Sequence, residues 1–377
     1  MNKNNIFILL FLFIFIAACK EKKTATTNNE NSNQQIFKRL TASETGITFS
    51  NNIVEDDEEN VMIYDGFYVG AGASVLDVNN DGLLDAFFVS NQGPDKLYLN
   101  KGKMKFEDIS KSAKIEGGEE WGVGATVVDI NADGWDDVYV SCKHFLDPEK
   151  RRNKLYINNQ DNTFTESAKA YGIDDSGFSV QGSFFDYDLD GDLDLYVVNQ
   201  PPDHNKTRDA LLATNKPDYQ YTDRLYRNNG NNTFTDVTKQ SGIENFAFGL
   251  SAAIGDFFND GFPDIYVSND YEGGDFLYVN NGNGTFTNVI NQSMKHISNF
   301  SMGSDVADIN NDGWLDIFTA DMTPEDHFRN KTNMAGMDAT KFWRLVNAPR
   351  EAHCATANLS KNTTSGGSPP ATAHRSR

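Results

Sequence analysis

The sequence predicts an all-β fold, a β-propeller built of four-stranded antiparallel blades. Three observations predict it. An acidic nonapeptide begins at Asp77, Asp129, Asp186, Asp256 and Asp308; the starts lie 52, 57, 70 and 52 residues apart; and the same order of short strand-like segments returns in each interval. A unit repeating at this length is one supersecondary element that must stack on its own copies to bury its faces. The interval is slightly longer than the roughly 40–50 residues of common propeller blades.

Each unit opens on small residues, as in Gly70-Ala71-Gly72-Ala73 and Gly122-Val123-Gly124-Ala125, which suit close approach of backbones. A short run of strand character follows: Ser74-Val75-Leu76, Thr126-Val127-Val128, Ser183-Phe184-Phe185. The acidic loop comes next, then an aromatic and β-branched run: Ala86-Phe87-Phe88-Val89, Val138-Tyr139-Val140, Leu195-Tyr196-Val197-Val198 and Ile265-Tyr266-Val267. Composition and length make these strands. A Leu-Tyr-x-Asn segment supplies the third strand, at Leu97–Asn100, Leu155–Asn158, Leu225–Asn228 and Leu277–Asn280. After an Asn/Gly turn, Thr163-Phe164-Thr165, Thr233-Phe234-Thr235 and Thr285-Phe286-Thr287 supply the fourth. No amphipathic helix flanks the acidic loops, so they are not EF-hands.

The nonapeptide puts oxygen-bearing side chains at positions 1, 3, 5 and 9, with glycine at 6. Ca²⁺ takes six to eight oxygens at about 2.3–2.6 Å, and a loop with oxygens at alternate residues plus the carbonyl of position 7 can wrap one ion. The ligands expected in the first copy are Asp77, Asn79, Asp81, the carbonyl of Leu83, and Asp85. The second offers Asp129, Asn131, Asp133, Trp135 and Asp137; the third Asp186, Asp188, Asp190, Asp192 and Asp194. The fourth has Asp256, Asp260, Phe262 and Asp264, with Phe258 where an oxygen belongs, and is expected to be the weakest; the fifth has Asp308, Asn310, Asp312, Trp314 and Asp316. The expectation is up to five structural Ca²⁺ ions. An Asp/Asn/Gly-rich hairpin without metal is the alternative, but turns need no carboxylates at alternating positions.

The 377 residues carry a formal charge of −21, with a pI near 4.6, which argues against nucleic acid as a partner. Sixteen aspartates sit at positions 1, 3, 5 and 9 of the five copies, so five divalent ions would bring −21 to about −11. Three cysteines, Cys19, Cys142 and Cys354, give neither a disulfide framework nor zinc spacing. Cys142 ends an apolar strand and reads as a small buried residue.

These residues carry a resemblance. The span from Phe67 to Asp321 resembles the FG-GAP/VCBS repeat proteins, and the Trp121-Gly122-Val123-Gly124-Ala125, Asp-Gly-Trp and Leu-Tyr-x-Asn wording is similar to a bacterial branch related to cartilage acidic protein. The resemblance implies an integrin-type propeller with calcium loops in its blade hairpins, and a ring of about seven blades where five loops are counted. Residues 321–348 still look like this branch; residues 349–377 do not, lacking Phe, Tyr, Trp, Ile, Val, Met and Asp. The expectation is a C-terminally truncated copy whose last 29 residues are a disordered or aberrant tail.

Residues 1–18 read as an export signal, with Lys3 before the apolar run Ile6–Ile16 and the small pair Ala17-Ala18. Ile16-Ala17-Ala18-Cys19 resembles a bacterial lipobox, which implies lipidation of Cys19 and a lipid anchor in the cell envelope, at the outer membrane or cell surface. Residues 19–35, without an apolar side chain larger than alanine after Cys19, form a flexible tether, and the propeller repeats occupy 36–348.

If the acidic loop joins the first two strands at one end, the connections after the second strand emerge at the other. Those connections vary in length, from Asn91–Asp95 to Lys143–Asn153 to Pro201–Tyr221. Variable loops on a rigid frame are where binding is expected. Trp121, Phe178, Phe246 and Phe300 reach the same face or pack blade on blade, and His204, Lys206 and Arg208 lie in the long insert. His144, His204, His296 and His327 share no metal or triad spacing, and no catalytic motif is present. The function expected is a binding or adhesion module for an extracellular or periplasmic protein or polysaccharide, not an enzyme. A polysaccharide lyase or glycoside hydrolase on the same scaffold is the alternative, because fold does not fix function.

Overall fold

A computed structural model describes residues 37–64, 66–115, 120–201, 221–270, 274–298 and 300–322. The chain divides into two compact units after Thr41. The described residues of the first, 37–41, hold no regular element; everything below concerns the second.

That unit is an all-β propeller of four-stranded antiparallel blades. Blade one is β1 (Ala73–Leu76), β2 (Asp85–Phe88), β3 (Lys96–Asn100) and β4 (Phe106–Asp108). Blade two is β5 (Gly122–Val128), β6 (Asp137–Cys142), β7 (Lys154–Asn158) and β8 (Phe164–Glu166). Blade three is β9 (Ser179–Phe185), β10 (Asp194–Asn199), β11 (Arg224–Asn228) and β12 (Phe234–Asp236). Blade four is β13 (Phe248–Gly255), β14 (Asp264–Asp270), β15 (Phe276–Asn280) and β16 (Phe286–Asn288). A fifth sheet pairs β17 (Ser301–Ala307) with β18 (Asp316–Asp321). Within each four-stranded sheet the spatial order is the sequence order, the meander expected.

The first strands β1, β5, β9, β13 and β17 lie side by side from blade to blade. The small residues make this possible. A Cβ on Gly124 would stand 2.5 Å from the Val180 carbonyl oxygen, and one on Gly72 would stand 3.0 Å from the Ala125 nitrogen. Side chains then fasten neighbours through backbone: Ser74 Oγ donates to the Ala125 carbonyl at 2.7 Å, and Thr126 Oγ1 to the Gly182 carbonyl at 2.8 Å.

The second strands of blades two, three and four, β6, β10 and β14, are buried on both faces, which explains their unbroken apolar runs. All six residues of β6 and of β10 are buried. Each carries an aromatic residue two places after the acidic loop, and Phe87, Tyr139, Tyr196 and Tyr266 are at most 2% exposed. Tyr139 meets Phe184 of the next blade edge-on at 5.7 Å, and Phe87 meets Tyr156 at 6.4 Å. Burial of side chains this size stabilises by roughly 1.5–3 kcal/mol each. The equivalent Phe318 in β18 is 60% exposed.

Two repeated features go beyond the sequence reading. A one-turn helix follows the fourth strand in each complete blade. With α1 at Ala42–Thr45, these are α2 (Ser110–Ala113), α3 (Ala168–Tyr171), α4 (Thr238–Ser241) and α5 (Ile290–Ser293). Three end on a residue in the left-handed region, Lys114, Gly172 and Gly242. Secondly, the residue just before the third strand, Asp95, Asn153, Asp223 or Asp275, accepts a backbone N–H from the end of the second at 2.8–2.9 Å. Each closes its β2–β3-type connection from within. Among the described residues no helix is long and apolar enough to cross a membrane.

Asn158, at the end of β7, is 2% exposed and bridges blades: its Nδ2 donates to the Val78 carbonyl at 2.9 Å in the first acidic loop. Its Oδ1 accepts the Gln160 N–H at 2.9 Å. Asn158→Ala leaves buried backbone groups unsatisfied and is expected to lower the unfolding free energy by about 2–3 kcal/mol, measured by urea denaturation. Asn159→Ala, on the exposed next position, is expected to cost about 1 kcal/mol or less.

Candidate functional site

All five acidic loops join a first strand to a second, so antiparallel pairing places them at one end of the blades. Every loop folds the same way. The position-1 aspartate accepts two N–H groups with its two oxygens: Asp77 from Asp81 at 3.0 Å and Gly82 at 2.8 Å, and Asp129 from Asp133 at 2.9 Å and Gly134 at 2.8 Å. Asp186, Asp256 and Asp308 repeat the pair at 2.8–3.1 Å. The position-5 carboxylate accepts the N–H of position 7, holding Leu83, Trp135, Asp192, Phe262 and Trp314 in the turn at 2.8–3.1 Å.

Two residues per loop take left-handed backbone angles. At position 4 these are Asn80, Ala132, Leu189, Asn259 and Asn311, with φ of 52–60°; at position 6 they are glycines with φ of 81–95°. A Cβ on Gly82, Gly134, Gly191, Gly261 or Gly313 would touch nothing, so backbone conformation and not crowding demands glycine there.

The position-9 aspartate begins the second strand, and Asp85, Asp137, Asp194 and Asp264 are at most 1% exposed. One oxygen accepts the N–H of loop position 2, as Val78 N–H to Asp85 at 2.9 Å and Tyr187 N–H to Asp194 at 3.1 Å. The other accepts the N–H of the Leu-Tyr-x-Asn asparagine in the third strand: Asn100, Asn158, Asn228 and Asn280 at 2.6–2.8 Å. Burial pushes the carboxyls of Asp137, Asp194 and Asp264 up to about 7, against the pull of these two N–H groups, and the loop carboxylates add to the rise. Asp85 moves the same way for the same reason.

The third loop brings its carboxylates closest together. Oxygens of Asp186, Asp188 and Asp194 lie within 4.8 Å of one another. Asp188 Oδ1 is buried and makes no hydrogen bond, and burial, then Asp190 and Asp186, raise the carboxyl's pKa. A buried acceptor-only oxygen beside like charges is stabilised by a cation. In the first, second and fifth copies position 3 is Asn79, Asn131 or Asn310, and its Oδ1 accepts the position-5 N–H at 2.9–3.1 Å. The fourth has Phe258 there, half-buried against Tyr266, Leu277 and Ile290. Among the described residues no lysine or arginine pairs with a carboxylate at position 1, 3, 5 or 9 of any loop. The oxygen donor set, with its hard carboxylates, fits Ca²⁺ and could hold one ion per loop. Loops also meet across blades: Asn80 Nδ2 donates to the Gly134 carbonyl at 3.0 Å, and Asn259 Nδ2 to the Gly313 carbonyl at 3.2 Å.

The connections after the second strands lie at the opposite end. Trp121 is buried there with Tyr64 and Phe67, and Phe145 stacks on Tyr64 at 4.9 Å, so Trp121 packs the segment ahead of blade one onto blade two. Phe178 is likewise buried, while Phe246 and Phe300 are half-buried. His144 is buried, with Nδ1 accepting the Asp147 N–H at 3.0 Å and Nε2 3.1 Å from Glu59 Oε1. Burial outweighs Glu59 and lowers the pKa of the imidazole. His296 is exposed. Cys142 is a free, buried thiol whose pKa burial raises. Cys19, His204, Lys206, Arg208, His327, Cys354 and residues 323–377 lie outside the described residues. Arg151, which sequence reasoning passed over for want of a motif, also lies at this end.

A family model described as FG-GAP-like repeat matches residues 77–140, 145–197, 203–267 and 256–319, more than half of the chain. Comparison with curated proteins gives no match. Among solved structures, the chain is similar to an Agrocybe aegerita lectin described for recognition of non-reducing terminal N-acetylglucosamine, at 17% identity and a TM-score of 0.38, covering 65% of this chain and 59% of that one. It is similar to the V. cholerae biofilm matrix protein Bap1 at 12% identity and a TM-score of 0.35, covering 66% of this chain and 34% of the other. A thermostable family-43 glycoside hydrolase matches at 10% identity and a TM-score of 0.36, covering 66% of this chain and 84% of that chain. The chain thus spans less than two thirds of the lectin and of the biofilm protein.

The raised carboxyls set a sign for pH dependence without metal. A carboxyl whose folded pKa is about 7 against an ordinary aspartate value of 3.8 binds its proton more tightly when folded. It stabilises the fold below about pH 4, and that contribution is lost as pH rises through 7. In chelator, the melting temperature is therefore expected to be higher at pH 5 than at pH 8, measured by calorimetry. A higher value at pH 8 would contradict the assignment.

Proposed function

We propose that this chain, which belongs to the FG-GAP-like repeat family, is an exported, lipid-anchored propeller whose acidic loops hold structural Ca²⁺ and whose opposite face binds a protein or a glycan. The observation that carries the reading is the third loop, where Asp186, Asp188 and Asp194 converge and one buried carboxylate oxygen has no partner. The other loops share its backbone path and its N–H pattern, so one role extends to all five.

In this reading Asp77, Asn79, Asp81, the Leu83 carbonyl and Asp85 hold the first ion, with the corresponding residues at the other loops. The ion would neutralise carboxylates that the fold has gathered, and lock the hairpin to the third strand through position 9. Ligands wrapping the ion from one loop make it a clamp, with little room for a substrate. Binding then belongs to the connections at the other end, which differ in length from blade to blade and rest on the buried aromatic residues described above. Anchoring through Cys19 and the tether of residues 19–35 would hold the propeller at the envelope membrane.

Ions bound only by the folded state add stability by mass action, about 2.7 kcal/mol for one site at a hundred times its dissociation constant. Chelation is expected to lower the melting temperature by many degrees, and calcium to restore it; equal melting in calcium and chelator would sink the structural role. Asp81→Ala is expected to cut the calcium-dependent rise more than Asp260→Ala, since the fourth loop already lacks an oxygen at position 3. A glycan array followed by a reducing-end assay tests the binding face. Retention of a glycan without product supports a binding module, and release of product replaces it with an enzyme.

A further inference from the structure

The guanidinium of Arg151 is the least explained charged group in the described structure. It sits in the connection between β6 and β7, at the end of the blades opposite the acidic loops. The residue is 6% exposed. Its planar group lies 4.3 Å from the centre of the Phe178 ring, and Nε donates to the Ser176 carbonyl at 2.5 Å. The two terminal nitrogens reach no acceptor among the described residues. Neighbouring carboxylates turn elsewhere: Asp175 accepts the Gly177 N–H at 2.6 Å and the Tyr226 hydroxyl at 3.1 Å, and pairs with Arg224 at 3.7 Å. Asp147 accepts the N–H of Glu149.

An arginine keeps its charge at any ordinary pH, and a desolvated, unpaired charge is costly. Burial lowers the pKa of this guanidinium, the direction expected of a cation short of partners. Its free edge is a planar fork of N–H donors that matches the two oxygens of a carboxylate. Other groups surround it. Tyr221 and Phe246, both half-buried, continue a row of rings from Phe178 at centroid distances of 5.8 and 6.4 Å. Gln200 donates its backbone N–H to the Phe178 carbonyl at 3.0 Å. Its Oε1 accepts Lys143, while its amide NH₂ has no acceptor among the described residues.

We propose that Arg151, with Phe178, Gln200, Tyr221 and Phe246, forms a subsite for the carboxylate of an acidic sugar, a uronic acid carried in an otherwise neutral polysaccharide. The fork takes the carboxylate, the half-buried rings take the apolar face of the sugar ring, and the Gln200 amide takes a hydroxyl. The net charge of −21 repels a densely charged polymer, which favours an isolated acid sugar over a polyuronate. The flat ring faces favour a sugar over the flexible carboxylate of an acidic peptide. This inference rests on the glycan-binding form of the proposed function.

The test is calorimetric titration of the full chain, in calcium, with an aldobiouronic acid (one glucuronic acid linked to one neutral sugar), the matching neutral disaccharide, and a short glutamate peptide. The acid sugar is expected to bind, with the neutral disaccharide and the peptide each weaker by tenfold or more. Arg151→Lys keeps the charge and loses the fork, and is expected to weaken binding about tenfold; Arg151→Gln is expected to abolish it. Phe246→Leu, which leaves the guanidinium in place, is expected to weaken it as well and serves if the arginine variants fail to fold. No binding of the acid sugar, equal binding of the peptide, or wild-type affinity in a folded Arg151→Lys or Phe246→Leu overturns the subsite. A neutral glycan retained on the array and unaffected by Arg151→Gln would leave the binding function standing and remove the acid-sugar assignment.

Discussion

The structure depends on one interaction repeated in every complete blade: the position-9 aspartate with one N–H on each of its two oxygens. Through it the acidic loop, the second strand and the third strand become a single object. Asp137 shows the economy of the arrangement, accepting Ile130 N–H at 3.2 Å and Asn158 N–H at 2.7 Å while itself fully buried. Asn158 then carries the connection onward to the Val78 carbonyl of the preceding blade, as Asn280 does to the Tyr187 carbonyl at 2.7 Å. A buried carboxylate with only two hydrogen bonds remains an incompletely compensated charge. That residue of charge, next to the position-1 and position-5 aspartates, is what a divalent cation would settle on the proposed reading.

The fold was legible because its units repeat. Five copies of one pattern fixed the strand order, and the runs such as Val138-Tyr139-Val140 have the composition of strands covered on both sides. The one-turn helices were not legible: four residues such as Ser110–Ala113 are too short for hydrophobic periodicity to register. The closing residues Asp95, Asn153, Asp223 and Asp275 could have been found. Each stands two places before the leucine of Leu-Tyr-x-Asn, and an oxygen-bearing residue recurring there is the kind of signal that the acidic loop gave.

The loop positions proposed as metal ligands stand out in the sequence because spacing within one loop is a local property, and the structure gives all five loops one backbone path. The difference among the loops was visible only in part. Phe258 shows in the sequence that the fourth loop lacks a side-chain oxygen at position 3, but the convergence of Asp186, Asp188 and Asp194 and the orphaned oxygen of Asp188 need coordinates. The opposite face was barely legible. Trp121 could equally have packed or presented itself, and burial against Tyr64 and Phe67 decides for packing. Arg151 belongs to no motif, because its surroundings are assembled from Phe178, Gln200 and Tyr221, which come from other parts of the chain.

The account turns on whether the loops hold metal. Native mass spectrometry of the full chain during a calcium titration tests that most directly. The account predicts stepwise binding to five ions at saturation, with the Asp256 loop filling last and Asp188→Asn removing an early step. A chain that stays free of calcium up to millimolar concentrations, with its fold intact, would contradict it.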